Sequence, residues 1–369
     1  MYRLFKYLAE LVIMGVTYKI CDAPGTKKYL LIVLLMFAYF FAGRKKQWSP
    51  DAMICISLPV TAYFVAGFVG TIVYGSGYSV AIKNLAFWIL PLLFVMSLYI
   101  FYGEKMPHIV DMQFLGSCLA YLIPKGRFIL ETITVESMFA YVYGAFFVYY
   151  TYKKKWVFCG IAALLMFLTD KRIVVLAVLV AVFTQFLVGL FKNDKRISFA
   201  LWGITGVMIN VYLWLIYSGT LEAVCRGIGL NTNGRVKMYG KVAEWFDQSY
   251  FSTGKGFGIV ELLLDAWKIE KFSNLHNDLL KLHIELGVLG LLLFLASYGL
   301  SFYLVEKKYG TTSLKLFLSL AVYTMLLFST DNVSIYIIYL IPVYSIYFAV
   351  LSERDKEKAV KKYDEKADK

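Results

Sequence analysis

The fold class of this chain is decided by one stretch, residues 174–190, which reads VVLAVLVAVFTQFLVGL. Its apolar residues follow one another without the alternation of a half-buried strand. Its length is close to the roughly 20 residues with which a helix crosses a bilayer. A strand of a membrane barrel would be shorter, with lipid-facing and lumen-facing residues in turn. The stretch therefore predicts a transmembrane helix.

Similar apolar blocks recur along all 369 residues, separated by short charged stretches. Apolar residues make up 60% of the sequence and charged residues only 17%, far from the composition of a soluble domain. We predict an all-α polytopic bundle, a single membrane domain over residues 1–369 with about twelve transmembrane helices. The predicted spans are 4–20, 29–43, 52–73, 83–102, 112–123, 137–150, 156–169, 172–190, 198–217, 284–305, 313–329 and 334–351.

Lysine and arginine cluster at every second connection between these spans, at Arg44–Lys46, Lys153–Lys155, Lys192–Arg196 and Lys307–Lys308. Short loops rich in these residues stay in the cytoplasm, so the pattern supports keeping the short fifth span and places both termini inside. The first span has no cleavage site after it and is interpreted as a retained anchor. The charged tail, residues 352–369, is interpreted as a solvated cytoplasmic end. The net charge of +13 then needs no nucleic acid, because most of it faces anionic lipid.

Residues 218–275 form the one long connection, and this topology puts it on the non-cytoplasmic side. Long loops in compact proteins are usually functional. Apolar residues recur at helical spacing from Arg235 to Tyr250, and a second apolar stretch runs from Ile259 to Trp267. We therefore expect short amphipathic helices in this loop. The five cysteines are scattered, which predicts neither a disulfide framework nor a metal site.

Three short motifs occur in order in this half of the chain. They are LTDKR at 168–172, Asn233-Gly234-Arg235 followed by GKGFG at 254–258, and LHNDLL at 275–280 followed by ELGVLGL at 285–291. Over roughly residues 155–350 they resemble the signature of the O-antigen ligase and polysaccharide polymerase superfamily. At the corresponding positions that family has Ser-Arg and Ser-Gly-Arg. In this chain Lys171 and Asn233 replace the two serines. The arginines therefore carry over more safely than their neighbours.

The resemblance implies a glycosyltransferase similar to the Wzy-type polymerases. Such an enzyme joins undecaprenyl-pyrophosphate-linked oligosaccharide repeats into O-antigen, capsule or exopolysaccharide at the outer face of a bacterial cytoplasmic membrane, without metal, nucleotide or other cofactor. Its expected partners are the lipid-linked oligosaccharide, membrane lipid, and a flippase and chain-length regulator of the same pathway. An O-antigen ligase fits the same motifs. A lipid-linked oligosaccharide transporter or flippase and a receptor or structural role are alternatives from other classes, although no internal repeat relates the two halves.

The resemblance and the chemistry of the side chains together select the candidate catalytic residues Arg172, Arg235 and His276. A guanidinium fork binds phosphate bidentately, so the two arginines suit the leaving pyrophosphate. Arg172 can instead snorkel to the headgroups or pair with Asp170. Histidine is the side chain whose ordinary pKa allows proton transfer near neutrality, so His276 is expected to accept or orient the acceptor's proton. The alternative is a histidine at a helix start that Asn277 caps.

Arg226, Tyr239 and Asn277 join Arg172 and Arg235 as candidate substrate-binding residues. Glu222 and Glu244 lie in the same loop and are rival bases.

The remaining histidines and glycines are given structural interpretations. His283 and His108 are expected to pack, because the seven-residue spacing from His276 to His283 does not make a metal pair. Gly254–Gly258 is interpreted as a turn, since no strand precedes it and no Gly-Lys-Ser or Gly-Lys-Thr follows. Gly287 and Gly290 are expected to allow close helix packing.

Overall fold

The computed structural model consists of helices and turns, and it describes residues 2–367 apart from 24, 26, 43–48, 75–77, 133–135, 230–231, 233, 246–248 and 267–274. In chain order the helices are α1 (Tyr2–Asp22), α2 (Lys27–Ala42), α3 (Pro50–Tyr74), α4 (Tyr78–Tyr102), α5 (Met106–Thr132), α6 (Phe139–Lys153), α7 (Trp156–Leu168), α8 (Arg172–Leu190), α9 (Lys195–Tyr217), α10 (Leu221–Gly227), α11 (Arg235–Trp245), α12 (Ile259–Ala266), α13 (Asp278–Tyr309), α14 (Thr311–Phe328) and α15 (Ile337–Ala367). The predicted all-α polytopic class is confirmed. The basic cluster at Arg44–Lys46, together with Asn233 and Trp267, lies outside the described residues.

Each predicted span coincides with one of these helices, from α1 to α9 and from α13 to α15. Within the described residues, seven segments are long and apolar enough to cross a membrane, and one of them contains both α4 and α5. The shorter apolar helices Lys28–Ala42 and Trp156–Leu168 add to these. The fifth predicted span, which is short in the sequence, belongs to a helix of 27 residues, about 40 Å long. Twelve crossings remain a prediction.

The predicted loop, residues 218–275, carries the three short helices α10, α11 and α12. Helix α11 is amphipathic, as its sequence pattern predicts: Tyr239 and Val242 are buried, whereas Lys237 is exposed. The last helix, α15, extends beyond the last predicted span and continues to Ala367. On that extension, Glu353 forms an ion pair with Lys153 at 2.6 Å.

Helix α13 is interrupted at Gly287, whose φ of 72° lies in the left-handed region. The glycine-rich turn supplies hydrogen bonds at this interruption: the Lys255 N–H donates to the Ile284 carbonyl at 2.9 Å, and the Gly256 N–H to the Glu285 carbonyl at 3.0 Å. A membrane helix can break only where other groups satisfy its backbone. Because these N–H groups are engaged, the turn cannot cradle a phosphate, in agreement with the structural interpretation of its sequence.

Close packing around the interruption depends on the absence of side chains. A Cβ added to Gly67 of α3 would lie 2.0 Å from the Phe257 ring, and one added to Gly254 would lie 2.4 Å from the Leu286 carbonyl carbon. A Cβ on Gly290 would come within 3.1 Å of the Ala66 Cβ. The turn is therefore held between α3 and α13, and the close packing expected of the α13 glycines is confirmed.

A buried lysine fixes the first turns of α13 to its neighbours. The Lys281 Nζ donates to the Asn84 Oδ1 of α4 at 2.6 Å and forms an ion pair with Glu261 of α12. Its ammonium also lies 3.9 Å from Glu285 on its own helix. A buried charge is tolerated only with such partners, so these contacts hold α12 and the start of α13 together. The connection that carries His276 immediately precedes this fixed segment.

Candidate active site

A cavity of about 700 Å³ opens where the predicted loop meets two other connections of the bundle. The α7–α8 turn forms one wall, α10 and α11 form another, and the α14–α15 connection forms a third. The described residues that line it are Glu136, Asp170, Lys171, Arg172, Ile173, Tyr212, Leu221, Cys225, Thr232, Arg235, Val236, Tyr239, Ser329, Thr330 and Asp331. Polar and charged groups therefore converge on one space from segments far apart in the sequence.

The two candidate arginines, Arg172 and Arg235, both line this cavity. Each is the first residue of its helix, α8 or α11, where backbone N–H groups and the helix dipole also favour an anion. The Arg235 Nη1 donates to the Thr330 carbonyl at 3.1 Å, which directs the guanidinium to the cavity wall. Within the described part of the chain, neither arginine is paired with a carboxylate, and Asp170 does not bind Arg172. The cavity thus presents two cations available for an anionic ligand.

His276, in the short connection before α13, is not itself among the residues that line the cavity, but it contacts two that are, Tyr239 and Asp331. Its φ of 52° is unusual for a residue with a side chain, and two contacts hold it in that conformation. The Tyr239 hydroxyl donates to the His276 carbonyl at 2.7 Å, and the imidazole Nδ1 lies 2.9 Å from the Asp331 Oδ1. Its side chain keeps 28% of its surface exposed. Among the described residues, the imidazole is therefore held at Nδ1 by Asp331, and no partner is found at Nε2.

Asp331 is a candidate functional residue that sequence reasoning missed. It lies in the α14–α15 connection, is only 4% exposed, and accepts hydrogen bonds from the Tyr141 hydroxyl and, at 2.8 Å, from the Asn332 N–H. Burial alone would raise the pKa of this carboxyl, but the hydrogen bonds from His276, Tyr141 and Asn332, with Lys171 nearby, hold it well below its ordinary value. Asp331 is therefore an anion at neutral pH.

An anionic Asp331 also determines the state of the imidazole beside it. A carboxylate can only accept a hydrogen bond, so the proton of neutral His276 sits on Nδ1 and the lone pair on Nε2. The same negative charge stabilises the imidazolium that forms when Nε2 takes up a proton. A histidine oriented by a carboxylate in this way is suited to general-base catalysis.

The other predicted site residues separate into two groups. Tyr239 lines the cavity and holds His276, as described above. Asn277 is fully buried and caps α13, since its Oδ1 accepts from the Leu280 N–H at 2.9 Å. Arg226 is exposed, forms an ion pair with Glu222, and does not line the cavity. The structure therefore brings Tyr239 into the cavity wall, whereas Asn277 reaches it only through the hydrogen bond that its Nδ2 donates to the Tyr212 hydroxyl at 2.8 Å, and Arg226 does not reach it.

The rival bases and the other histidines lie outside the cavity. Glu244 is exposed on α11, and Glu222 is occupied by its ion pair with Arg226. His283 is buried between the Tyr217 hydroxyl and the Tyr250 carbonyl, in agreement with the packing role expected of it. Within the described residues no three His, Cys, Asp or Glu side chains are grouped to hold a metal ion.

A comparison with known families supports the resemblance seen in the motifs. The family model described as O-Antigen ligase matches residues 157–295, from α7 into α13. The match contains Arg172, Arg235, Tyr239 and His276, whereas Asp331 lies beyond it. No curated protein sequence matches the chain. Members of this family are enzymes that transfer glycans. Residues 157–295 therefore match an O-antigen ligase family model, and this match is consistent with the O-antigen ligase and polysaccharide polymerase superfamily.

Proposed function

We propose that the protein is a polymerase that joins oligosaccharide repeats carried on undecaprenyl pyrophosphate. The observation that supports this function best is a cavity lined by two arginines that have no carboxylate partner among the described residues, beside a histidine that a buried carboxylate of the cavity wall orients. A sugar transfer from a pyrophosphate donor needs both parts: cations for the departing pyrophosphate and a base for the attacking hydroxyl. The family match supports glycan transfer in general, and the polymerase is the finer proposal.

At the donor end, Arg172 and Arg235 bind the pyrophosphate that joins the growing glycan to its lipid carrier. Negative charge accumulates on this group as its bond to the anomeric carbon breaks. One well-placed donor aimed at such developing charge contributes on the order of 3–4 kcal/mol to catalysis. The first backbone N–H groups of α8 and α11 add partial positive charge at the same place.

At the acceptor end, His276 Nε2 takes the proton from a sugar hydroxyl of the next lipid-linked repeat. The hydroxyl oxygen forms a bond to the anomeric carbon of the donor, and the bond from that carbon to the pyrophosphate oxygen breaks. The pyrophosphate leaves with the electron pair, and Asp331 stabilises the imidazolium. The energy stored in the glycosyl pyrophosphate drives the step, so no nucleotide is consumed.

The proposal includes a location and partners. The cavity lies at the outer face of a bacterial cytoplasmic membrane with both termini inside; the short basic connections support this orientation, because such loops tend to stay in the cytoplasm. There the enzyme receives repeats from a flippase, and a chain-length regulator of the same pathway sets the product size. The lipid carriers of donor and acceptor both remain in the membrane.

The test is reconstitution of the purified protein in liposomes with a synthetic undecaprenyl-pyrophosphate-linked repeat. The expected result is a ladder of glycans that grow by whole repeats, with one undecaprenyl pyrophosphate released for each bond formed. The variant Arg235→Ala provides the control for a contaminating activity. Transfer of a finished glycan to a lipid A core without a ladder would favour the ligase instead, and movement of the repeat across the bilayer without bond formation would contradict both enzymes.

A further inference from the structure

Lys171 lies between two carboxylates at the wall of the cavity. It immediately precedes Arg172 and also lines the cavity, but its side chain is only 18% exposed. Its ammonium forms an ion pair with Glu136 and lies 3.7 Å from the Asp331 Oδ2. It is also 5.9 Å from the centre of the Tyr141 ring. The lysine therefore contacts the same carboxylate that orients His276.

The two distances place the lysine nearer to Glu136 than to Asp331. A charged hydrogen bond from nitrogen to a carboxylate oxygen is about 2.7–2.9 Å long, so the ammonium stands about 1 Å too far from Asp331 to form one. Glu136 is 71% exposed at the cavity, whereas the Asp331 side chain is 5% exposed. If Glu136 released the lysine, the buried carboxylate would be the nearest remaining anion.

We propose that Lys171 and Glu136 are positioning residues that set how strongly the Asp331 carboxylate supports proton uptake by His276; this inference rests on the proposed role of His276 as the base. Lys171 lowers the proton affinity of the imidazole, because a nearby cation opposes a second positive charge. Glu136 limits that effect by holding the lysine away from Asp331. The two residues therefore act on His276 with opposite signs.

Other charged and titratable groups also face the dyad formed by His276 and Asp331, and they are the same in every variant proposed below. Tyr141 of α6 donates to Asp331, Arg235 and Tyr239 of α11 lie on the loop side, and Asp278 and Tyr336 lie near Asp331 on the side of α13 and α15. Because none of these groups is changed, a shift in the pH dependence of His276 in the Lys171 or Glu136 variants can be assigned to those two residues.

The inference is tested with Lys171→Met, Glu136→Gln and the double variant, with Lys237→Gln as a matched control. Lys237 is an exposed lysine of α11 that does not line the cavity. The first readout is the rate at which diethyl pyrocarbonate modifies His276 at a series of pH values, measured by mass spectrometry of the peptide that contains it. The reagent attacks the neutral imidazole, so this rate reports proton affinity without any glycan product. The second readout is the acid limb of kcat/KM for polymerisation.

Lys171→Met is expected to move both curves to higher pH by about one unit, and Glu136→Gln to move them to lower pH by about half a unit. The double variant should behave like Lys171→Met, because Glu136 acts through the lysine. The control should not move. Equal directions for the two single variants, no movement in either, or additive effects in the double variant would overturn the inference.

These results are distinguishable from a failure of the proposed function. If wild-type protein forms no glycan while the labelling curves of the variants move in opposite directions, the polymerase is wrong and the electrostatic link stands. If polymerisation is robust and the labelling curves do not move, the link is wrong and the polymerase stands.

Discussion

Asp331→Asn is the substitution that tests the candidate site most directly. In the wild type, Oδ1 of Asp331 accepts from His276 Nδ1 and the Asn332 N–H, and Oδ2 accepts from Tyr141 and faces Lys171. An asparagine has one oxygen for two sets of donors. Either its NH₂ group meets Tyr141 and Lys171, or it meets His276 and turns the imidazole to the tautomer whose lone pair is on Nδ1.

The magnitude follows from what is lost. A hydrogen bond to a charged group contributes about 1.5–3 kcal/mol, which corresponds to roughly a 10-fold to 150-fold rate effect if the imidazolium alone loses it. In the molecules that hold the wrong tautomer, the imidazole cannot act as the base. The corresponding Asp-to-Asn change in a serine protease triad lowers kcat by about 10⁴-fold. We therefore expect polymerisation to fall by about 10²-fold to 10⁴-fold.

The assay is the initial rate of repeat addition in liposomes at matched protein amounts, from pH 5 to 9. Because the pKa of Asp331 is held below its ordinary value, the carboxylate stays charged throughout this range, and an acid limb seen there does not come from Asp331. A depressed pKa in the folded state also means that the ionised carboxylate stabilises the fold above its unfolded pKa of about 3.9, and that this stability is lost only as the pH falls towards the folded pKa. Asp331→Asn lacks that contribution, so its melting temperature must be measured alongside.

The same assay tests the rival bases. Glu222→Gln and Glu244→Gln should retain most of the activity, because neither carboxylate lines the cavity. A wild-type rate in Asp331→Asn, or a loss of more than 10²-fold in Glu244→Gln with the fold intact, would refute the assignment of His276 and Asp331.

Three further predictions concern the arginine, the orientation and the fold. Arg235→Lys keeps the charge but loses the fork and should reduce polymerisation by about 10²-fold, whereas Lys237→Gln should not; ladders of wild-type intensity from Arg235→Lys would mean that charge alone suffices. Cys225 lines the cavity, so a membrane-impermeant maleimide should label it in intact cells, and labelling only after permeabilisation would place the cavity inside. Gly287→Ala should lower the thermal stability in detergent by about 1–3 kcal/mol, because its φ is 72° and its Cβ would lie 2.3 Å from a backbone nitrogen, whereas Gly160→Ala, with open space around it, should not. Equal melting temperatures for these two variants would contradict the structural role of the interruption.

Much of the site could be predicted because it is encoded locally. Arg172 and Arg235 begin helices, and His276 precedes one, so short motifs beside apolar blocks pointed to all three. Asp331 lies outside those motifs, in a connection of ordinary composition, and nothing in its neighbours marks it. Asn277 belongs to the LHNDLL motif and Arg226 lies outside the motifs, and their side chains are committed to the α13 cap and to Glu222.

The sequence by itself determined that this chain is a helical membrane protein with one long loop, because the length of an apolar block and the spacing of basic residues are local properties that a bilayer acts on directly. It also determined which residue types were available for chemistry. Only the tertiary structure decided that His276 is paired with Asp331, 55 residues further along, and that Lys171 is shared between Asp331 and Glu136. These contacts join separate connections, and the relative positions of the connections follow from how the helices pack. The hydrophobic pattern does not specify that packing, because the surfaces that face lipid are apolar as well.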